Sequence, residues 1–225
     1  ILRCQDVVLR MTQIGKECHT HCRIYHRMGE CIMPVQGVFA EVLSSGTIQT
    51  GSMMTVEFPA KDRPFTAAVI TMSDKGSKGE RKDESGPAMK EGLTAAGFDV
   101  VEELILPDEK ALLKKELIRL CDQRQVSLIL TSGGTGFSER DTTPEATMEV
   151  MTRNAPGIAE AIRAESMKYT KRAMLSRGAS VIRGQTLIVN LPGSPKAVRE
   201  SMEIILESVQ HGLGILRGSE SECAR

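Results

Sequence analysis

The fold is decided by residues 126–147, which read VSLILTSGGTGFSERDTTPEAT. The first six form an apolar run of the length and composition that is typical of a buried strand. A glycine-rich loop follows, and Pro144 then stands where a helix can begin, with Thr143 before it as the expected cap. Strand, glycine loop and helix in direct succession predict an α/β domain whose strand lies in a parallel sheet.

The same alternation continues on both sides of that stretch. Buried strands are predicted at residues 66–72, 100–106 and 186–190. The predicted helices occupy residues 86–96 and 109–124 and begin again at Pro144, Gly157 and Pro195. Two of them carry apolar stripes at helical spacing, formed by Leu113, Leu117, Leu120 and Cys121 and by Val198, Met202, Ile205 and Val209. We therefore expect a mostly parallel sheet with helices on both faces.

A domain boundary is predicted near residue 62, because two prolines flank three charged residues in residues 58–64 (FPAKDRP). Before it, residues 38–43 and 47–50 are predicted as short strands between turns. We expect the domains to be a β-rich unit at residues 1–62, an α/β domain at residues 63–218 and a tail at residues 219–225. A unit of about 60 residues is marginal as an independent core. Since residue 1 is Ile and not Met, we expect the rest of the first domain to precede it.

Composition argues against several classes of function. Lys and Arg together number 29, as do Asp and Glu, so the one-sided charge of a general nucleic-acid or membrane-surface binder is lacking. Aromatic residues make up 3% and Trp is absent, which leaves few side chains for stacking on bases. No apolar run approaches the roughly 20 residues that cross a bilayer. Six cysteines are too sparse for a disulfide framework, and we expect a cytoplasmic protein.

A site is expected in the four strand-to-helix loops, because ligands of open α/β sheets bind at the carboxyl ends of the strands. In chain order these loops are residues 73–79, 107–109, 132–144 and 190–195. The composition of the third loop is typical of an anion-binding site. Its glycines let backbone N–H groups turn inward, and its hydroxyl groups add hydrogen-bond donors. In the fourth loop Ser194 is expected to cap a helix that begins at Pro195. Two helix amino ends would then face one crevice, which suits a ligand with several phosphates. The candidate binding residues are Ser73 and Asp74 in the first loop, Ser132, Gly133, Gly134, Thr135 and Gly136 in the third, and Asn190, Pro192, Gly193 and Ser194 in the fourth.

Two carboxylates, Asp108 and Asp141, are predicted at the same edge. They would repel a phosphate unless a cation lay between, so they indicate a Mg²⁺ site. Two alternatives stay open: glycines and prolines can serve only as tight turns, and Asp108 can cap the helix that follows it. The sequence has no GxxxxGK[ST], and no GxGxxG follows its first strand of the α/β pattern, which argues against a P-loop enzyme and a dinucleotide dehydrogenase.

Five motifs, in order, resemble those of the MogA/MoaB family of molybdopterin adenylyltransferases, to which the gephyrin G domain is related. They are ITMSDKG at residues 70–76, PDE at 107–109, TSGGTGFSERDTTPEAT at 131–147, AMLSR at 173–177 and NLPGSPKAV at 190–198. The resemblance covers residues 64–218 and implies a Rossmann-like fold. It also implies a reaction in which ATP and molybdopterin give adenylyl-molybdopterin and pyrophosphate, with Mg²⁺.

The resemblance also implies roles for individual residues. Asp141 matches the aspartate that the family needs for adenylyl transfer, and Asp108 matches a second acidic residue at the site. The residues implied in binding are Ser176 and Asn190 for the pterin, Asp74 for the nucleotide, and residues 133–136 for the pocket that both share. The family further implies a homotrimer and hand-over of the product to a molybdate insertase.

Residues 11–43 resemble a different family, the MOSC domains, which are β-rich and associated with sulfur handling for the molybdenum cofactor. Cys18 lies in the segment that bears their cysteine. Two alternatives stay open for this segment: a zinc site, since thiolates and imidazoles at such spacings can complete a tetrahedron, and ordinary packing and surface positions. The residues concerned are Cys18, His19, His21, Cys22, His26 and Cys31.

Two other functions compete with adenylyl transfer. One is a molybdate-inserting relative, which shares the fold and consumes adenylylated pterin. The other is a non-catalytic molybdopterin-binding scaffold. The sequence lacks the large additional domains of the inserting enzymes, and its two acidic residues, Asp108 and Asp141, argue against a scaffold.

Overall fold

The computed structural model describes residues 1–15, 20, 22–57 and 62–219. The chain divides into two compact units. The first comprises Ile1–Arg63 with Asp122–Gln125, and the second comprises Pro64–Cys121 with Val126–Arg225.

The first unit is rich in antiparallel strands, as expected for a small β-rich region. Its described elements are β1 (Leu2–Cys4), β2 (Val7–Ile14), α1 (Arg23–Met28), α2 (Met33–Gln36), β3 (Val38–Ser44) and β4 (Thr55–Val56). The strands form one sheet in the order β3-β2-β1-β4. The prediction of a strand at residues 47–50 is wrong, because no strand is found among the described residues between β3 and β4. The chain instead makes a turn in which the Ser52 N–H donates to the Gln49 carbonyl at 3.0 Å, and pairing resumes at β4.

The second unit alternates strands and helices. Its elements are β5 (Thr66–Met72), α3 (Asp74–Ser77), α4 (Ser85–Ala95), β6 (Asp99–Leu106), α5 (Lys110–Ile118), a π-helical turn (Arg119–Gln123), β7 (Leu128–Ser132), α6 (Thr143–Glu149), β8 (Arg153–Asn154), α7 (Pro156–Ser166), a 3₁₀ helix (Lys171–Leu175), β9 (Ser180–Arg183), β10 (Thr186–Leu191) and α8 (Pro195–Arg217). The π-helical turn belongs in part to residues that cluster with the first unit.

The sheet of the second unit confirms the predicted fold class. Within the described residues its order is β6-β5-β7-β10-β9-β8, and the first four strands are parallel. β9 and β8 add an antiparallel margin that the sequence pattern did not predict. Both are short, so neither shows the long apolar run that identifies β5 and β7. The helix predicted at residues 109–124 keeps α-helical form only to Ile118.

Helices cover both faces of this sheet, because successive strand residues point to opposite sides. Val69 belongs to a core with α4, α7 and α8, whereas Ile70 belongs to a second core with α5 and α6. The predicted stripes of α5 and α8 are buried in these two cores. A rigid sheet packed on both sides thus fixes where each strand ends. Among the described helices, none has the length and apolar character that a bilayer span requires.

Candidate active site

The crevice lies where the strand order reverses. From β5 the chain moves to β6 on one side and then to β7 on the other, and ligands of open α/β sheets bind outside the carboxyl ends at such a point. A cavity of about 570 Å³ is found there. The predicted site residues that line it are Ser73, Asp108, Ser132, Gly134, Asp141 and Gly193. The structure therefore brings together residues from all four predicted loops.

The glycines of the third loop are required by its backbone. Gly133 has φ +96° and Gly134 has φ +63°, a region that L side chains rarely adopt. A Cβ on Gly133 would also lie 2.5 Å from the Met72 carbonyl oxygen, and one on Gly134 would collide with the Thr143 hydroxyl. Gly193 of the fourth loop lies close to the third loop, since a Cβ added to it would stand 3.4 Å from the Gly133 Cα. The two loops consequently pack backbone against backbone beside the cavity.

The helix after the third loop begins differently from the prediction. Thr143 is the first residue of α6 and not its cap; the cap position belongs to Thr142, whose side chain makes no capping hydrogen bond. The Thr143 N–H instead donates to the Gly134 carbonyl at 3.1 Å, so the loop backbone takes over part of the capping role. The fourth loop matches its prediction: the Ser194 hydroxyl accepts the Ala197 N–H at 3.2 Å and Pro195 opens α8.

Two serine hydroxyls that line the cavity also bind the protein backbone. The Ser73 hydroxyl accepts the Gly76 N–H at 3.0 Å and thereby caps α3, a short helix that was not predicted. The Ser132 hydroxyl donates to the Pro192 carbonyl at 2.9 Å. The Ser73 bond therefore fixes the first loop, and the Ser132 bond joins the third loop to the fourth.

Asp74 and Asp108 bind each other's backbone. The Asp74 N–H donates to Asp108 Oδ2 at 3.1 Å, and the Asp108 N–H donates to Asp74 Oδ1 at 3.0 Å. The Asp74 carboxylate is also gripped by Arg140, with Nε 3.0 Å from Oδ2 and Nη2 2.6 Å from Oδ1. Asp108 is therefore not a helix cap, since α5 begins at Lys110 after Glu109. Asp74 joins the first three loops and does not itself line the cavity.

The pKa values of Asp108 and Asp74 are shifted in opposite directions. Burial raises the pKa of Asp108 above its ordinary value of 3.8, and the negative charges of Asp74 and Asp141 raise it further against the Asp74 N–H and Arg140. The Arg140 guanidinium lowers the pKa of Asp74, with help from the Asp108 N–H. Asp108 thus faces like charge at the cavity, and a cation there would stabilise its ionised form.

Asp141 lies on the boundary of two cavities. Besides the large one, it lines an open cavity of about 400 Å³ together with Phe137, Ser138, Glu139, Thr142, Glu145 and Arg177. Its Oδ2 accepts the Ser138 N–H at 2.9 Å, which turns the carboxylate back over the loop. A Cβ on Gly136 would stand 2.9 Å from that same oxygen. Thr135, the preceding residue of the loop, is buried. Asp141 is therefore the predicted residue that both cavities share.

Ser176 and Asn190 lie apart from these cavity surfaces. Asn190 is 3% exposed, and its Oδ1 accepts the Ala179 N–H at 3.0 Å. Its Nδ2 donates to the hydroxyls of Thr131 and Thr147, both at 2.9 Å. Since both polar ends of the amide bind protein, the structure gives Asn190 a supporting position beneath the site. Ser176 is half-buried, and its hydroxyl accepts the Gly178 N–H at 3.3 Å.

Four charged residues that line the cavity were not predicted from the sequence: Arg81, Lys82, Asp83 and Glu84. Asp83 Oδ1 accepts the Ser85 N–H at 2.9 Å, and its Oδ2 accepts the Thr71 hydroxyl at 2.9 Å. An aspartate just before a helix is an ordinary start signal and could have identified Asp83 as a cap. The two exposed cations carry no comparable signal, because charged loop residues are common.

Across the described ranges, no group of three or more His, Cys, Asp or Glu side chains is arranged to hold a metal ion. Mg²⁺ does not need such a group, because proteins commonly bind it through one or two carboxylates while phosphates and water complete the shell. Asp108 and Asp141 are oxygen donors of that kind at one cavity. For the alternative zinc site, Cys18, His19 and His21 lie outside the described residues, as does the role predicted for Cys18.

Comparison with known proteins places this site in a family. Residues 68–211 match the family described as "Probable molybdopterin binding domain". The chain belongs to this family. It is 40% identical over 153 residues to a molybdopterin adenylyltransferase of Helicobacter pylori, covering 67% of this chain and 87% of that protein. It is also 40% identical over 152 residues to a molybdopterin adenylyltransferase of Escherichia coli, covering 64% and 77%.

A solved structure agrees with this assignment. The molybdopterin biosynthesis enzyme MoaB of Thermus thermophilus is 45% identical and superposes with a TM-score of 0.65, covering 68% of this chain and 97% of its own. The resemblance to the MogA/MoaB family and its fold are thereby confirmed for the second unit.

Proposed function

We propose that this protein is a molybdopterin adenylyltransferase, which transfers AMP from ATP to molybdopterin and releases pyrophosphate. The observation that carries the proposal is the position of Asp141 on the boundary of two cavities. Two substrates bound in adjoining cavities would meet beside this carboxylate. Relatives at about 40% identity that are named molybdopterin adenylyltransferase support a role in molybdenum cofactor biosynthesis.

We assign ATP to the larger cavity. Its walls offer the backbone of the glycine loop, the Ser73 hydroxyl and the cations Arg81 and Lys82, which lie beside the carboxylates of Asp83 and Glu84. Backbone N–H groups, hydroxyls and cations are the groups that bind phosphates in proteins. Molybdopterin is assigned to the smaller cavity, where Phe137 offers an apolar ring surface and Ser138 and Thr142 offer polar groups. Ser176 does not line this cavity, so its pterin-binding role rests on the family resemblance alone.

Asp108 and Asp141 would hold Mg²⁺, which fits the like charge that Asp108 faces. When bound, Mg²⁺ neutralises charge on the reacting phosphates and orients them for in-line attack. The protein contributes mainly by positioning: Asp74 and Arg140 fix Asp108, and the loop backbone fixes Asp141. Phosphoryl-type transfer depends on such positioning and on charge stabilisation.

Pyrophosphate release tests the proposal. Purified protein with ATP and Mg²⁺ should release pyrophosphate only after molybdopterin is added, and one adenylyl-molybdopterin should form for each pyrophosphate. A molybdate-inserting enzyme would instead consume adenylyl-molybdopterin supplied to it. A scaffold would bind molybdopterin and release no pyrophosphate, and either result would refute the assignment.

We further propose a cytoplasmic homotrimer that hands its product to a molybdate insertase. This rests on the family resemblance and on the sparse cysteines of the sequence. Light scattering would measure the trimer directly. For the first unit we propose the carboxyl-terminal part of a MOSC domain, supported by its resemblance and its antiparallel sheet.

A further inference from the structure

Arg177 bonds to the third loop at several points. It follows the 3₁₀ helix Lys171–Leu175, and its side chain is 34% exposed. Its backbone N–H donates to the Thr135 carbonyl at 2.9 Å, and its Nε donates to the Gly136 carbonyl at 2.7 Å. Its Nη2 donates to the Asp141 carbonyl, and its Nη1 pairs with the Glu145 carboxylate. Arg177 therefore contacts the loop before and at Asp141, and it also contacts α6, which follows the loop.

The segment that these bonds enclose has little core packing of its own. Residues 137–140 are all exposed, and Phe137 at the tip is 71% exposed. A loop without buried side chains is held in place by its hydrogen bonds. The Arg140 pair with Asp74 anchors the outer part of the loop, whereas Arg177 anchors both ends.

The guanidinium is suited to hold two carbonyls at a fixed separation. It is planar, and its N–H donors form a rigid fork, whereas a lysine ammonium is a single point of charge on a flexible stem. The Glu145 carboxylate fixes the orientation of this fork from α6. The distance between the Gly136 and Asp141 carbonyls is therefore set by one side chain that is anchored to a helix.

We propose that Arg177 is a positioning residue for adenylyl transfer. By holding both ends of the loop from Gly136 to Asp141, it determines where the Asp141 carboxylate stands between the two cavities. It acts through Asp141, since the bonded edge of its guanidinium is occupied by loop carbonyls and by Glu145. This inference rests on the proposed function and adds to it a residue that neither the acidic motif nor the glycine loop contains.

Arg177→Lys is the variant that tests the proposal. It keeps the positive charge beside Glu145 but cannot bind both carbonyls in the fork geometry. A displacement of about 1 Å at reacting groups commonly costs about a hundredfold in rate, so we expect turnover to fall by about 30- to 100-fold. The KM for ATP and the affinity for molybdopterin should change less than about threefold, because the cavity walls remain. Glu145→Gln leaves both carbonyl bonds and should cost less than about tenfold.

Arg172→Lys is the matched control, because Arg172 is exposed on the neighbouring 3₁₀ helix. It should retain the turnover of the unmodified protein. Adding ethylguanidinium to Arg177→Ala should restore part of the lost turnover, which a purely structural defect would not allow. Wild-type turnover in Arg177→Lys would overturn the proposal. So would a loss confined to molybdopterin affinity, which would make Arg177 a direct ligand, or a loss matched by unfolding.

Amide hydrogen exchange separates this inference from the proposed function. In Arg177→Lys the amides of residues 136–141 should exchange faster by about tenfold or more, while those of β5 and β7 stay unchanged. This readout needs no turnover. If the unmodified protein released no pyrophosphate, the proposed function would fail. Unchanged amide exchange in Arg177→Lys would refute the positioning role of Arg177.

Discussion

The loop after β7 and the loop after β10 lie together at one sheet edge, but they are held in different ways. The loop after β10 is held by short serine side chains: Ser194 caps α8, and the Gly193 carbonyl accepts the Ser85 hydroxyl at 3.0 Å. The loop after β7 lacks a side-chain cap on its helix and is held by two long side chains, Arg177 and Arg140, that bind distant segments.

This difference separates stability from catalysis. A capped loop moves only with its helix, so a change in it alters the free energy of unfolding. A loop held by long side chains can shift by a fraction of an ångström while the core stays intact. Substitutions around the loop after β7 should therefore change turnover, and substitutions around the loop after β10 should change stability.

The largest expected effect follows from removing charge at Asp108. Asp108→Asn keeps an oxygen that can accept the Asp74 N–H but loses the charge that would hold a cation. We expect turnover to fall by about a hundredfold to a thousandfold, the usual cost of losing one preorganised electrostatic contact. Steady-state pyrophosphate release measures it, and Glu109→Gln, an exposed carboxylate one residue on, should remain near wild type.

The stability of Asp108→Asn should depend on pH differently from that of the wild-type protein. Because the folded-state pKa of Asp108 is raised, the native state loses stability as pH rises from about 3.8 through that higher pKa. Asp108→Asn should not show this loss of stability, because an asparagine side chain does not ionise. At pH 7 the variant should be at least as stable as wild type towards urea, and any advantage should vanish below about pH 3.8. A variant that is clearly less stable at pH 7 would show that Asp108 serves the fold.

A smaller effect, on stability, is expected at Asn190. Asn190→Leu leaves the Ala179 N–H and the hydroxyls of Thr131 and Thr147 without their partner. Stranding buried polar groups typically costs about 1–3 kcal/mol, so the free energy of unfolding should fall by roughly that amount. Urea denaturation measures it. A variant of unchanged stability with weakened molybdopterin binding would instead place the amide in the pterin pocket.

The smallest effect is expected at Ser194. Ser194→Ala removes the hydroxyl that accepts the Ala197 N–H. Loss of a serine cap costs about 1 kcal/mol, and we expect a decrease in unfolding free energy of that size. Turnover at saturating substrates should stay within about twofold. A large loss of turnover without loss of stability would break the distinction between the two loops.

Local patterns account for what could be predicted. The apolar runs of β5 and β7 predicted buried strands, and the Ser194-Pro195 pair predicted the start of α8. Because parallel strands end at one sheet edge, Asp108 and Asp141 could be predicted at one crevice from sequence alone. Their assigned chemical roles, the MOSC resemblance and the domain bounds stay predictions.

The remainder depends on contacts between distant residues. Arg177 reaches carbonyls 36 and 41 residues away, and Arg140 reaches Asp74 across 66 residues. Such contacts follow from strand order and loop path, which no local period encodes. The same reason explains the misplaced cap at Thr143, because the Gly134 carbonyl that accepts its N–H is brought there by the loop.

We propose that the Asp141 carboxylate acts where the two cavities meet, and the variant Asp141→Asn tests this role. The amide keeps an oxygen for the Ser138 N–H, so the loop should retain its shape. We predict that ATP and molybdopterin still bind, while single-turnover formation of adenylyl-molybdopterin falls by about a hundredfold to a thousandfold. Glu149→Gln, on the exposed surface of α6, should leave the rate unchanged. A near wild-type rate in Asp141→Asn at saturating ATP, Mg²⁺ and molybdopterin would show that the Asp141 carboxylate does not act in adenylyl transfer.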